Sequence, residues 1–155
     1  MPQLVKGGKN VFGWSKVGNN GVIKIPPEVI EEYNLRPSNK VIIMSGSKTS
    51  GGFSIVKIKK LISSPLSVVL ENNPDLAHFQ LSSGEPIQYN NRYFCWTEIS
   101  KNEKIHLPTE TLRLYGIKPG DNILTARGSG LGVGFIVKRP IISEAKKHPE
   151  LKIFD

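Results

Sequence analysis

The chain has 155 residues, 38% hydrophobic and 22% charged, which is enough for one compact domain or two very small ones. Its single cysteine, Cys95, excludes an internal disulfide and a cysteine-rich zinc site, and fits a reducing cytoplasm. The net charge of +8 is unevenly spread: residues 1–60 and 92–155 are basic, whereas residues 61–91 carry no Lys or Arg and three acids.

Met1 to Asn10 contains Lys6 and Lys9 but no apolar run, so no secretory signal is expected there. Period-2 alternation predicts a strand over Val11–Val17, with Phe12 and Trp14 on one face. Gly18-Asn19-Asn20-Gly21 is a turn, and a second strand, Val22–Ile25, follows it. Pro26 ends that strand and lets a short helix start over residues 27–33, with its acids near the positive end of the helix dipole. Pro37 is expected to stop the helix. Strands over Lys40–Ser45 and Phe53–Ile58 close the unit.

Pro65–Glu71 reads as one or two helical turns, and Asn72–Tyr89 as a polar surface connector. The first pattern then recurs: strands over Tyr93–Ile99 and Lys104–Leu107, a helix over Thr109–Tyr115, and strands over Asn122–Arg127 and Gly134–Lys138. A short tail helix is expected over Ile141–Lys147. The longest apolar stretches, Val41–Met44 and Val68–Leu70, are far too short to cross a bilayer.

The recurrence is visible residue by residue. Aligned without a gap, Phe12–Lys57 matches Phe94–Arg139: Phe12/Trp14 with Phe94/Trp96, Ile23/Pro26 with Ile105/Pro108, and Glu28/Tyr33/Pro37 with Glu110/Tyr115/Pro119. Gly52-Phe53 falls on Gly134-Phe135 in the same alignment. A β-β-α-β-β unit this short cannot close a core alone, so two copies packed about a pseudo-twofold axis are expected.

The residues Ile23-Lys24-Ile25-Pro26 with Leu35-Arg36-Pro37, and Ile105-His106-Leu107-Pro108 with Tyr115-Gly116-Ile117-Lys118-Pro119-Gly120-Asp121, resemble the SpoVT/AbrB family, related in outline to MazE-type antitoxins. The resemblance implies a mostly β fold with short helices, in which two β-β-α-β-β repeats form an intramolecular swapped-hairpin (AbrB-like) barrel. It assigns residues 10–60 to the first repeat, 61–91 to a connector, 92–140 to the second repeat and 141–155 to a tail, with the two repeats forming one joint domain. The function it implies is DNA binding as a cytoplasmic transcription regulator, with double-stranded DNA as the partner. No enzyme activity, cofactor, metal site or membrane partner is expected.

Candidate DNA contacts are Lys16, Lys24, Lys101, Lys104, Arg113 and Arg127: long cations on strands, turns and a helix can reach phosphate oxygens, and Arg can also pair with a guanine edge. The family places a basic residue just after the first-turn glycine and more on the helix. The first repeat has Val22, Glu31 and Glu32 there, whereas the second has Lys104 and Arg113. An asymmetric surface is therefore expected, weighted toward the second repeat plus Lys16 and Lys24. The alternative is a protein-interaction module, antitoxin-like at one extreme, that keeps the fold without DNA binding; a homodimer and a protein partner are left open.

Three other features carry less. The aromatic pairs could stack on bases, but their equivalence in both repeats favours core packing. The glycine run Gly128–Gly134 joins two strands and lacks the spacing of a phosphate loop. Cys95 and His106 lie on neighbouring predicted strands but on different faces, so no nucleophile–base pair is expected.

Overall fold

The computed structural model describes residues 10–47, 51–128, 131–138 and 140–155. It is mostly β, with short helices. The first repeat comprises β1 (Val11–Lys16), β2 (Val22–Lys24), α1 (Pro27–Glu32), β3 (Lys40–Ser45) and β4 (Phe53–Val56). The intervening stretch forms α2 (Ile58–Ile62), α3 (Ser67–Asn72), α4 (Pro74–Ala77) and β5 (Ile87–Tyr89). The second repeat comprises β6 (Arg92–Glu98), β7 (Lys104–His106), α5 (Thr109–Leu114), β8 (Asn122–Ala126) and β9 (Val133–Ile136). The tail adds α6 (Pro140–Ala145) and β10 (Ile153–Phe154).

The two main helices end in the same way, and proline is not the cause. After Tyr33 and Tyr115 the chain turns left-handed at Asn34 (φ 52°) and Gly116 (φ 77°). The next amides then reach back, Leu35 N–H to the Ile30 carbonyl and Ile117 N–H to the Leu112 carbonyl, both at 2.9 Å. This is a Schellman closure, which satisfies helix carbonyls before Pro37 or Pro119 is reached.

Ladders run mainly between repeats. One sheet has the order β10-β1-β8-β9-β4-β3-β6-β5, and β2 pairs with β7 in a separate ribbon. Thus β1 of the first repeat lies on β8 of the second, and β6 of the second lies on β3 of the first. The registers are equivalent: Lys16 opposes Asn122 as Glu98 opposes Lys40. The ribbon is symmetric about Ile23↔Ile105, a residue facing its own counterpart. Backbone bonds repeat too: Ser38 N–H meets the Ile99 carbonyl and Gly120 N–H the Val17 carbonyl, both at 2.7 Å. The outer strands β10 and β5 share no ladder among the described residues, so these strands do not form a closed barrel.

Two irregularities break the gap-free alignment. In β1 the register shifts between Val11 and Gly13, a bulge that Gly13 permits at φ 141°. Phe12 is thereby turned away from the face of Trp14 and packs edge-on to Tyr33, with ring centroids 6.5 Å apart. In the second repeat Phe94 and Trp96 keep a common face, and Cys95 approaches the matching Tyr115 instead. The other irregularity lies in the last hairpin. Ile42 opposes Val56 but Leu124 opposes Ile136, so the second hairpin loop is two residues shorter. Gly52 therefore corresponds to Gly132, and Ile55 to Phe135. The matching Gly-Phe pairs in the sequence reflect glycine-rich loops that align in either register.

Three apolar clusters follow from this arrangement. The central one draws on both repeats, including Ile23, Ile25, Leu35, Phe53, Ile105, Leu107, Leu112 and Phe135. A second lies under the stretch between repeats and buries Leu61, Val69, Leu70 and Leu76 against Ile42, Met44 and Phe94. Asn72–Tyr89, expected as a polar surface connector, thus contributes a core leucine and an edge strand. A third cluster places the tail, through Ala145, Ile141, Ile142 and Leu151, on Val11, Leu124 and Ile136.

The duplication also shows where one copy holds a costly conformation. Ser38 sits at φ 71°, whereas its counterpart Gly120 takes φ 92°. A left-handed conformation costs an L-residue with a Cβ about 1–2 kcal/mol, partly offset by glycine's larger unfolded-state entropy. Ser38→Gly is expected to stabilise the fold by about 0.5–1 kcal/mol, read as a higher denaturant midpoint at unchanged slope.

Candidate nucleic-acid interface

The ribbon of β2 and β7 hides one face and presents the other. Ile23 and Ile105 point into the central core, while Val22 and Lys24 on one strand, with Lys104 and His106 on the other, take the outer face. Lys24 lies directly opposite Lys104 and Val22 opposite His106. Facing like charges on adjacent strands destabilise a ribbon. Here Glu103 relieves the repulsion: Lys24 Nζ donates to its Oε1 at 3.3 Å and to the Asn102 carbonyl at 2.7 Å. Lys24 of the first repeat therefore clamps the Ser100–Glu103 turn of the second.

Beside the ribbon lies a cleft of about 380 Å³ lined by Lys16, Val17, Gly18, Asn19, Asn20, Val22, Lys24, Lys104 and Asp155. The fold brings these together for a definite reason. The turn from Gly18 to Gly21 docks on the other repeat, with Gly21 at φ 80° and Leu107 N–H bonded to the Gly21 carbonyl at 3.0 Å. Any Cβ at Gly21 would lie 2.2 Å from the Leu107 carbonyl oxygen, so only glycine allows this approach. Lys16, at the end of β1, is exposed and makes no ion pair among the described residues; nor does Lys104.

The other predicted contacts lie in different places. Lys101 is exposed on the Ser100–Glu103 turn next to the ribbon, and Arg113 is exposed on α5. Arg127 is not part of the cleft. It follows the far end of β8, about 16 Å along the strand from the Asn122–Lys16 level at ~3.3 Å per residue. Its Nε donates to Glu32 Oε2 at 3.0 Å and its Nη2 to Glu32 Oε1, a two-pronged pair joining the repeats. Arg127 thus neutralises one of the three acids on α1, Glu32, that would repel phosphate.

Two basic residues were overlooked in the sequence. Arg36 and Lys118 occupy equivalent turns, each closed by a side chain: Arg36 N–H to Asn39 Oδ1 at 3.0 Å and Lys118 N–H to Asp121 Oδ2 at 2.9 Å. Both are exposed, on turns bonded to the ends of β6 and β1 through Ser38 and Gly120. The signal was a cation at the same place in both copies.

Cys95 and His106 do not meet as a catalytic pair. His106 is exposed on the ribbon, while Cys95 is fully buried with its Sγ 3.6 Å from the Tyr115 hydroxyl. Burial pushes the thiol up to about 12 from 9.0. Below pH 9 both folded and unfolded states keep the proton and stability is unaffected. As pH rises from 9 toward 12 the unfolded thiol ionises while the folded one cannot, so stability falls. Burial also raises Tyr115, which acts in the same direction. A falling denaturant midpoint through this window, less steep in Cys95→Ala, is the expected result.

The aromatic side chains are packing elements. Trp96 Nε1 donates to the Leu81 carbonyl at 2.7 Å, Phe79 packs edge-on to it at 5.5 Å, and Lys40 Nζ lies 5.3 Å above its ring. Within the glycine run, Ser129 and Gly130 lie outside the described residues; Gly132 packs its backbone against Ile55, as a hairpin residue does. No helix among the described residues is long and apolar enough to cross a membrane. No family model, curated protein or solved structure matches this chain.

Proposed function

We propose that this chain is a DNA-binding transcription regulator, built on an intramolecular swapped-hairpin framework of the SpoVT/AbrB kind. The exchange of β1 and β6 between repeats supports the framework. The observation that carries the function is the convergence of Lys16, Lys24 and Lys104, from two repeats, on one cleft beside the pseudo-twofold ribbon. The charge is asymmetric about the ribbon's twofold, because His106, Val22 and Glu98 stand where Lys24, Lys104 and Lys16 have their counterparts, so one side of the ribbon would meet the phosphates. Lys16 and Lys104 supply the unpaired charge, Lys24 holds the turn, and Lys101, Arg113, Arg36 and Lys118 extend the basic surface outward. Phosphate contacts would position the chain, with groove shape giving most of the selectivity.

A protein-interaction role is favoured by a separate observation: Glu103 already engages Lys24, and Asp155 lines the same cleft. Fluorescence anisotropy on the gene's own upstream duplex and a scrambled duplex separates the two roles. For a regulator making about 3–5 phosphate contacts, log affinity falls against log salt with a slope of roughly −3 to −4.5, and the native duplex is preferred. Equal weak binding to both duplexes, lost near physiological salt, would overturn the proposal in favour of a protein partner.

A further inference from the structure

A cavity larger than the basic cleft lies elsewhere on the molecule. It lies between the tail and the outer face of the second repeat, encloses about 660 Å³, and falls within the size range of small-molecule sites. Its apolar wall comprises Trp14, Ile123, Val137, Ile142, Leu151 and Ile153. Lys138, Lys146 and His148 bring cationic nitrogen to the rim, together with Asp121.

The internal duplication shows what such a wall accepts. Trp14 corresponds to Trp96 and Asn122 to Lys40. On the β3–β6 pair the Phe79 ring, from the stretch between the repeats, packs against Trp96 and beneath Lys40, and the Leu81 carbonyl accepts the Trp96 indole N–H. An aromatic ring with an oxygen acceptor a short reach away therefore fits this surface. On the equivalent β8–β1 pair both Trp14 and Asn122 line the cavity, and Trp14 Nε1 makes no hydrogen bond among the described residues.

The charges define the class further. Asp121 is already committed to the Lys118 amide, and His148 is engaged by Glu150 at 2.8 Å and Glu144 at 3.5 Å. Lys138 and Lys146 form no ion pair among the described residues. We propose that this cavity binds a small aromatic anion, its ring on Trp14 as Phe79 packs on the equivalent Trp96, and its carboxylate toward Lys138 and Lys146. The site is independent of the DNA-binding proposal.

Isothermal titration calorimetry of the full chain with indole-3-acetate and benzoate, and with neutral indole for comparison, tests it. Saturable one-to-one binding is expected for at least one anion in the range up to about 1 mM, with neutral indole roughly tenfold or more weaker. Lys138→Glu with Lys146→Glu changes only exposed side chains and should weaken the anion about tenfold or more while leaving neutral indole little changed. Trp14→Leu should weaken both kinds of probe. No saturable binding of either anion by the unmodified protein, equal affinity for indole and the anions, or an unchanged affinity after the double charge reversal would each overturn the proposal. Because the first and second of these are read on the unmodified chain, a poorly folding Trp14 variant does not obscure the result.

Discussion

Replacing Gly52 by alanine is expected to cost more than about 3 kcal/mol of stability. Gly52 holds φ 67°, and a Cβ there would stand 1.8 Å from the Phe135 carbonyl oxygen. That oxygen belongs to β9, which pairs with β4 at the centre of the large sheet, where the two repeats are joined. It cannot withdraw without parting the ladder. The equivalent Gly132 would bring its Cβ 2.2 Å from the Ile55 carbonyl oxygen, so Gly132→Ala should be nearly as damaging. Gly120 is the control: it holds φ 92° but nothing lies within 4 Å of its added Cβ. Gly120→Ala should then cost only the left-handed strain, about 1–2 kcal/mol. A chain of this size loses roughly 2–4 °C of Tm per kcal/mol, so thermal melts should place Gly52→Ala at least about 6–12 °C below the unmodified protein. Equal, small shifts for Gly52→Ala and Gly120→Ala would show that the two strands do not approach as closely as described.

Lys16→Glu combined with Lys104→Glu is expected to weaken duplex binding about 30- to 1000-fold at low salt, from two lost charge-assisted contacts and two added repulsions. The log–log salt slope should shrink by about 2, since roughly 0.9 counterion is released per phosphate contact. The residues come from different repeats but line one cleft, so each single change should produce a similar loss. Arg127→Ala should behave differently. Its guanidinium is held by Glu32 at the far end of β8, and a partly exposed ion pair contributes about 0–1 kcal/mol to stability. Its effect on DNA affinity should stay within about threefold, the size of a screened long-range charge. If Arg127→Ala matched the double reversal, the cleft would not be where DNA docks.

Much of the element order was legible from composition and alternation. Prolines and turns bracket strands whose apolar positions recur in both copies, and the β-β-α-β-β order emerged with strand limits close to those observed. The bulge at Phe12 was hidden because alternation assumes an unbroken register. Gly13, with no side chain to bury, gives no sign in a hydropathy pattern that its neighbour must fill the space against Tyr33. The two-residue difference in the last hairpins was masked by glycines on both sides of it. The stretch from 72 to 89 looked polar because its few apolar residues are scattered. Leu61, Val69, Leu70 and Leu76 become one cluster only after three short helices fold over β3 and β4. In the candidate site, Lys16, Lys24 and Lys104 could be nominated from their places on strands. The ion pairs could not: Lys24 with Glu103, and outside the cleft Arg127 with Glu32, join residues far apart in sequence.

The exchange of first strands has a bearing on how the protein is made. The Ser15 hydroxyl is hydrogen-bonded to that of Thr125 at 2.9 Å, 110 positions downstream, and all of β1 waits for β8 in the same way. A growing chain on the ribosome therefore finishes its first repeat long before β1 has β8 to pair with. Until β6 and then β8 emerge, one edge of β3 and the edge and apolar face of β1 stay open to whatever is nearby. On a crowded message the nearest complementary surface belongs to the next nascent chain, and strand trading between molecules competes with closure within one. Release from the ribosome tips the balance, because the tethered second repeat is then the partner at far higher effective concentration.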